Sequence, residues 1–173
     1  GYARYFTPPA QDLITPFTVS QFADTTGAPP GTTGNAPRPE RSNYFSAGIS
    51  QRVSPQLTLG SNAWYKQATE MLDLGQFGRA LVFTPFNYAR GQSYGVEFTG
   101  QWNSERLSLF GNLTLSRATG TNIRTSQFNF DQEELAYIAG KYVRTDHDQL
   151  VTASAGASYR PWDGARASAT LFY

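Results

Sequence analysis

Six segments of the chain alternate apolar and polar residues with a period of two, and this pattern limits the possible fold more than any other feature. The six segments cover residues 44–53, 57–66, 93–102, 107–116, 151–160 and 167–171. In the first of them Phe45, Ala47 and Ile49 alternate with small polar residues. Strict alternation is typical of β-strands that have one apolar and one polar face. With a further stub at residues 2–6, the pattern predicts an all-β, antiparallel fold of about seven strands with no long helix.

The connections between these strands alternate between short and long. Short turns lie at residues 54–56, 104–105 and 162–165, and the last contains the hairpin pair Asp163-Gly164. Long loops cover about residues 7–41, 69–91 and 119–148, and they all fall at one end of the strands. Loops of this length are uncommon in compact soluble domains. Short turns at one rim and long loops at the other are typical of an outer-membrane β-barrel, whose turns are periplasmic and whose loops are extracellular.

Aromatic residues are placed where such a barrel carries its girdles at the two membrane interfaces. Tyr94 and Trp102 share one face of a strand and are eight residues apart, which is about 27 Å along the strand. A tilt of about 40° reduces this to about 21 Å of height, near the ~25 Å apolar band of a barrel. The predicted girdle residues are Phe45, Tyr65 and Tyr94 at the loop rim, with Trp102 and Tyr159 at the turn rim.

Periodicity alone also fits a soluble β-sandwich, because a solvated sheet face is polar in the same way as a lumen face. The aromatic placement and the loop asymmetry favour the membrane interpretation. Composition agrees, since only 16% of the residues are charged, against roughly 25% in ordinary soluble domains. The chain has no run of about 18 apolar residues that would form a transmembrane helix.

Several functional classes are excluded or disfavoured by composition. A net charge of +1, without a basic run, gives no reason to expect a nucleic-acid partner. The absence of cysteine excludes a disulfide scaffold and thiol catalysis. The only histidine, His147, lies between Asp146 and Asp148, and no serine stands in a nucleophile elbow. We therefore predict no enzyme activity and no cofactor or metal site, and interpret the loop carboxylates as solvated charges or as supports of the loop base.

One short helix is predicted inside the last long loop. Asp131 can cap it while Glu134, three residues on, returns the hydrogen bond.

Three stretches resemble the barrels of TonB-dependent outer-membrane receptors. The main one, Asn87–Glu97, reads Asn-Tyr-Ala-Arg-Gly-Gln-Ser-Tyr-Gly-Val-Glu, and Arg4–Pro9 and Tyr142–Gln149 are similar to late barrel segments of the family. The resemblance implies a 22-stranded barrel, a plug domain and an inner-membrane energising complex that drives import. Seven strands with ragged ends predict that residues 1–173 are the C-terminal part of such a barrel, without the plug domain.

Polar side chains on the inward face are the first group of candidate site residues. They are Arg52, Lys66, Glu97, Gln101, Asn112 and Arg160. Such residues can pair with a plug or line a solute path, and the alternative is that they are simply wetted charges of the lumen. The second group consists of loop aromatics, namely Phe77, Phe83, Phe86, Tyr88, Phe128 and Phe130. They either contact a ligand or pack loop on loop across the outer mouth.

The sequence thus predicts a transport protein of the Gram-negative outer membrane that takes up a scarce solute: a siderophore, cobalamin, a carbohydrate or a peptide. Its expected partners are membrane lipid, the plug domain, the remaining barrel strands, the energising complex and the solute. Two alternatives stay open. One is a barrel whose loops bind a partner protein or glycan, and the other is a soluble β-sandwich binding module.

Overall fold

The computed structural model describes residues 1–9, 36–76, 83–125 and 129–173, which form one antiparallel sheet and one short helix. The elements in chain order are β1 (Tyr2–Thr7), β2 (Glu40–Arg52), β3 (Leu57–Gln76), β4 (Phe83–Asn103), β5 (Leu107–Thr125), α1 (Gln132–Ile138), β6 (Val143–Arg144), β7 (Val151–Tyr159) and β8 (Ala167–Phe172). Strand order in the sheet follows chain order, except that β6 pairs only with β5. The predicted all-β antiparallel class is confirmed. Eight strands replace the predicted seven because β6, at two residues, is too short to show alternation.

The three short turns lie where the sequence predicts them. In the first, the Val53 amide donates to the Leu57 carbonyl over 2.8 Å. Ser104 closes the second turn, because its Oγ accepts from the Leu107 amide at 3.1 Å. Gly164 in the third turn has a φ of +92°, a conformation that glycine adopts without strain. All three turns lie at one end of the sheet.

The predicted long loops are partly wrong, because the central strands continue into them. Residues 69–91 were expected to be a loop, but β3 extends to Gln76 and β4 begins at Phe83. The predicted loop at 119–148 also begins too early, since β5 extends to Thr125. The alternation stops near Gln67 and Gln92 because both faces become mixed there, while the backbone hydrogen bonds of the sheet continue. We call residues 66–76, 83–93 and 118–125 the arm.

The main buried apolar cluster of the described chain lies between the arm and helix α1. Phe86, Tyr88 and Ile138 are buried, with Met71 and Phe130 among the half-buried residues packed against them. Helix α1 begins at the predicted capping box: the Glu134 amide donates to Asp131 Oδ1 at 2.8 Å, and the Asp131 amide donates to Glu134 Oε2 at 2.9 Å. The predicted helix start is confirmed, and α1 brings Ile138 onto the sheet.

The core covers one face of the arm. Met71 lies against Gly91, and the ring of Tyr88 lies against Gly120. These two glycines are paired across β4 and β5, so they share a face of the sheet. Alternation along β4 places Gly95 on that face as well. Near the turns this face of the sheet is polar, and in the arm the same face therefore carries the apolar core.

No helix of the described segments has the length and apolarity that crossing a membrane would need.

Candidate functional site

One face of the sheet is a continuous apolar surface between the turns and the arm, and we call it the apolar face. Register places Ala63, Val96 and Leu115 in one row across three strands. Large side chains on this face stay exposed, for example Phe98 at 46% and Leu115 at 41%. A sandwich would cover them with a second sheet about 10 Å away. All strands that the structure describes belong to a single sheet, so the sandwich alternative is wrong.

The apolar face ends sharply at an aromatic row on the arm side. Phe45, Tyr65 and Tyr94 lie directly opposite one another across β2, β3 and β4. Tyr2 extends the row onto β1, with its ring centroid 5.1 Å from that of Phe45. The next row toward the arm is polar and consists of Asn43, Gln67, Gln92 and Thr119. We call Tyr2, Phe45, Tyr65 and Tyr94 the aromatic row; the sequence missed Tyr2 because β1 is short.

The other end of the apolar face also carries aromatic side chains. Trp102 on β4 lies directly opposite Leu57 on β3, so both strands reach the turn end of the apolar face at the same level. Tyr159 lies opposite Leu107, one row closer to the turns. The five predicted girdle residues therefore fall at the two ends of the apolar face. Their placement fits interfacial anchors, although the assignment to a membrane remains a prediction.

The opposite face, which we call the polar face, contains a shallow groove around Glu97. Its volume is about 330 Å³. The groove is lined by Gly48, Ile49, Ser50, Gly60, Ser61, Asn62, Glu97 and Thr99. Asn112 lies close by on β5, where its Oδ1 accepts from Ser154 Oγ at 3.0 Å. The sheet thus presents hydroxyl, amide and carboxylate groups together on one surface.

Two of the aromatic rings on this polar face, Trp64 and Phe110, were not indicated by the sequence pattern. Each ring covers a glycine of the neighbouring strand. Trp64 lies over Gly95, where an added Cβ would come within 2.5 Å of the indole. Phe110 lies over Gly156 in the same way. An aromatic residue beside a cross-strand glycine is a known stabilising pair in sheets. The glycine in the Tyr94-Gly95-Val96-Glu97 motif therefore provides the seat for Trp64.

The other predicted inward residues are not gathered into one site. Arg52 donates from Nη2 to the carbonyl of Pro55 at 2.7 Å and thus supports the first turn. Gln101 and Arg160 are exposed near the turns. Lys66 lies at the opposite end of the band, level with the aromatic row.

Lys66 forms an ion pair with a buried carboxylate, Glu40. Nζ of Lys66 lies 2.6 Å from Oε1 of Glu40, whose side chain is only 5% exposed. The second oxygen of Glu40 accepts from the Leu72 amide at 3.1 Å. Sequence reasoning missed Glu40 because it precedes the alternating part of β2. The pair ties the base of the arm to β2.

Asn87 is the most highly connected polar side chain of the arm. It is fully buried, and its Nδ2 donates to the carbonyls of Arg38 and Glu70 at 2.9 and 2.8 Å. Its Oδ1 accepts from the Arg38 amide at 2.6 Å and from Thr125 Oγ1 at 2.7 Å. Glu70 has a φ of +53°. The amide of Asn87 therefore fixes β3, β5 and the segment before β2 at one point.

Charged side chains surround this point. Oε1 of Glu70 lies 3.5 Å from Arg38 and 3.4 Å from Arg124. Both arginines are more than half exposed, at 60% and 53% of their side chains, so the ion pairs are screened by solvent. These residues add to the geometry of the arm rather than forming a separate binding pocket.

The loop aromatics fall into three groups. Phe86 and Tyr88 are buried, at 2% and 4% exposure, so the packing alternative describes these two rings better than ligand contact. Phe130 packs edge-on against Phe86 with centroids 4.8 Å apart. Phe83 is 56% exposed and remains available to a ligand. Phe77 and Phe128 lie outside the described residues.

A cleft of about 520 Å³ opens beside this core. Its lining is Tyr88, Phe130, Glu133, Glu134, Tyr137, Ile138, Val143, Arg144 and Asp146. The mixture of aromatic and charged groups fits a polar organic ligand better than a purely apolar one. The cleft lies at the edge of the arm, next to helix α1.

Burial perturbs two ionisable groups near this core. Desolvation raises the pKa of the Asp73 carboxyl above its ordinary value of 3.8, against a hydrogen bond from Leu74 and the charge of His147. Desolvation also raises the pKa of the Tyr88 hydroxyl, with the charges of Asp73 and Asp146 adding to the effect. His147 is 3.9 Å from Asp73. Asp148 accepts from the Ala118 amide at 2.8 Å, which supports the loop-base interpretation of this segment.

The family resemblance is confirmed by comparison with known proteins. A family model described as "TonB dependent receptor-like, beta-barrel" matches residues 1–173. No curated protein matches the sequence. The solved structure of the FrpB iron transporter from Neisseria meningitidis (F3-3 variant) is similar, with 11% identity, a TM-score of 0.49, and coverage of 79% of this chain and 20% of that chain. The chain therefore spans about a fifth of that transporter's length.

Proposed function

The chain belongs to the TonB-dependent receptor β-barrel family, and from that premise we propose that it forms part of the wall of an outer-membrane importer. The family consists of transporters and receptors rather than enzymes. In the proposed orientation the apolar face meets lipid and the polar face lines the lumen. The observation that carries this proposal is the single two-faced sheet, whose apolar band stops at the aromatic row.

The edges of the sheet support the view that these strands belong to a larger barrel. β1 and β8 lie at opposite ends of the strand order, and each leaves one row of backbone donors and acceptors without a strand partner among the described residues. Inside a bilayer unpaired backbone groups are costly, so a membrane-spanning sheet must close. Further strands on both sides would complete the closure, and a plug domain would occupy the lumen.

The transport step that we propose begins with capture of the solute at the arm and its loops. Phe83, Tyr137 and the cleft beside α1 provide exposed aromatic and charged groups there. The solute then passes along the polar face once the plug rearranges, driven by the inner-membrane energising complex. The groove around Glu97 lies on that route.

The arm also restricts the outer opening in this scheme. Its apolar core lies on the side of the polar face, as the contacts of Met71 with Gly91 and of Tyr88 with Gly120 establish. In the proposed orientation a core on this side lies above the lumen and not beside the lipid. A buried core and the Asn87 hydrogen bonds make the arm a rigid rim, so we assign capture to its exposed residues.

The solute belongs to one of four classes: siderophore, cobalamin, carbohydrate or peptide. A growth experiment tests the proposed function even though the class of the solute is not known beforehand. A strain lacking the intact receptor is compared with a complemented strain while each class in turn is the only source of the limiting nutrient. We expect one class to require the receptor and the energising complex together. Growth that depends on the receptor but not on the energising complex would contradict the proposal.

A receptor variant lacking residues 70–89 separates capture from barrel formation. We expect it to insert into the outer membrane but to lose uptake. If the variant retains full uptake, the arm has no part in capture. If the receptor binds a protein or glycan and imports none of the four classes, the alternative of a binding barrel replaces the transport proposal.

A further inference from the structure

Five arginines lie on the apolar-face side of the sheet, at and just beyond the aromatic row, and one of them, Arg144 opposite Thr119, is already paired with Asp148 at 2.6 Å. Arg117 lies opposite Tyr94. Arg4 lies opposite Asn43, one row closer to the arm. Arg41 and Arg90 both lie opposite Thr69, a further row along. We call Arg4, Arg41, Arg90 and Arg117 the arginine belt.

The belt has an unbalanced charge. All four residues are exposed, and within the described parts of the chain none of their side chains forms an ion pair. The three rows that contain the belt include no Asp or Glu among the described strand residues. On the polar face, by contrast, Lys66 has a carboxylate partner at 2.6 Å. The belt is therefore suited to an anion from outside the sheet.

The spacing of Arg41 and Arg90 indicates what kind of anion. Both flank Thr69, so their Cα atoms are two strand spacings apart, about 10 Å. Two long side chains can reach one group between them from opposite sides, above Thr69, whose hydroxyl donates to the Arg41 carbonyl at 3.3 Å. Guanidinium groups form paired, charge-assisted hydrogen bonds with phosphate. The geometry favours a phosphate that approaches the outer surface of the sheet.

We propose that the arginine belt binds the phosphate groups of membrane lipids in the leaflet that meets the aromatic row. The inference rests on the proposed function, in which the apolar face lies in lipid. The belt continues that face directly, so one lipid can place its acyl chains on the apolar band and its phosphate on the arginines. A solute in transit would not meet the belt, which lies on the face opposite to Glu97.

The test uses the intact receptor in phosphatidylcholine nanodiscs that contain either phosphatidic acid or diacylglycerol with the same acyl chains. Native mass spectrometry measures the lipid retained per receptor. We expect phosphatidic acid to be retained in about tenfold excess, and the double variant Arg41→Gln/Arg90→Gln to lose about tenfold in affinity for it. Arg106→Gln/Arg166→Gln, at the turn end, is the charge-matched control and should retain the wild-type value. Arg41→Lys/Arg90→Lys preserves the charge and should retain part of the affinity.

Three results would overturn the inference. Equal retention by the wild type and the Arg41→Gln/Arg90→Gln variant would show that the belt does not hold the lipid. If inorganic phosphate displaces phosphatidic acid from the receptor as well as phosphatidic acid itself does, the belt is a site for the free ion instead. A wild-type receptor that fails to insert into nanodiscs would contradict the proposed function as well. If the Arg41→Gln/Arg90→Gln variant inserts, imports the solute and keeps the wild-type affinity for phosphatidic acid, only the lipid-binding role of the belt is contradicted.

Discussion

The hydroxyl of Thr125 donates to Oδ1 of Asn87 over 2.7 Å, in a part of the sheet where both residues are buried. The same Thr125 oxygen accepts from the Asn87 backbone amide at 3.0 Å. These two bonds join β4 to β5 at the point where the strand register shifts. They replace the regular backbone ladder that the shifted register interrupts, and they hold β4 against β5 within the arm.

Asn87→Ala is therefore expected to loosen the arm. The substitution leaves the buried Thr125 hydroxyl and two carbonyls without their partner, at a cost of about 2–3 kcal/mol. Hydrogen exchange of β3 and β4 peptides in the intact receptor would then be about a hundredfold faster in the arm alone. Asn112→Ala is the matched control, since Asn112 is exposed and its side chain accepts one bond. Equal exchange in the two variants would contradict the role of Asn87.

Gly95→Ala tests the seat of Trp64. The added methyl group would lie 2.5 Å from the indole and 2.7 Å from the Leu115 carbonyl oxygen, so a rotation of Trp64 alone would not relieve both contacts. We expect the free energy of unfolding to fall by about 1–3 kcal/mol. Gly111→Ala is the control, because the nearest atom to its new Cβ is 3.8 Å away.

Denaturant titration of the receptor in lipid vesicles measures both glycine variants. Adding Trp64→Ala should reduce the cost of Gly95→Ala without abolishing it, because the ring is then gone while the Leu115 carbonyl oxygen still lies 2.7 Å from the methyl group. If Gly95→Ala and Gly111→Ala lower the free energy of unfolding by the same amount, contact with the Trp64 ring is not the reason for a glycine at position 95.

Asp73→Asn tests the buried carboxylate of the arm. Burial raises the pKa of Asp73 above 3.8 in the folded arm, so between 3.8 and that raised value the folded state binds more protons than the unfolded state. Stability therefore falls as the pH rises through this window and stays lower above it. Asp73→Asn removes this contribution and should make the arm at least as stable as the wild type at pH 7, with a smaller fall in stability as the pH rises above 3.8.

Hydrogen exchange between pH 3.5 and 7, corrected for the intrinsic exchange rate, measures how readily the arm opens and so tests the Asp73 prediction. Asp163→Asn, in an exposed turn at the other end of the sheet, is the control and should leave arm opening unchanged. A loss of stability at pH 7 in Asp73→Asn would mean that the hydrogen bond from Leu74 and the charge of His147 together outweigh burial.

The sheet between the turns and the aromatic row was predictable because a single physical requirement governs it. Every second side chain there must be apolar, so Tyr65 and Tyr94 mark the same level on strands that pair directly. The helix start at Asp131 was equally predictable, since the capping box is a local pattern. Tyr2 was missed only because β1 contributes a few residues.

The arm could not be predicted in the same way. Phe86 and Tyr88 form a core with Ile138 and Phe130 because α1 folds back onto the sheet, and this long-range packing leaves no periodic pattern. The partners of Asn87 come from positions 38, 70 and 125, which are far apart in sequence. Long-range hydrogen bonding of this kind is decided by tertiary structure.

The orientation of the sheet in the membrane is the central claim, and Val96→Arg compared with Thr99→Arg tests it most directly. Val96 lies on the apolar face, between Ala63 and Leu115, whereas Thr99 lies on the polar face beside the groove around Glu97. The free energy of unfolding is measured for both variants of the intact receptor in lipid vesicles. We predict that Val96→Arg loses about 2–4 kcal/mol and that Thr99→Arg loses far less. Equal losses, or a larger loss for Thr99→Arg, would contradict an apolar face that meets lipid.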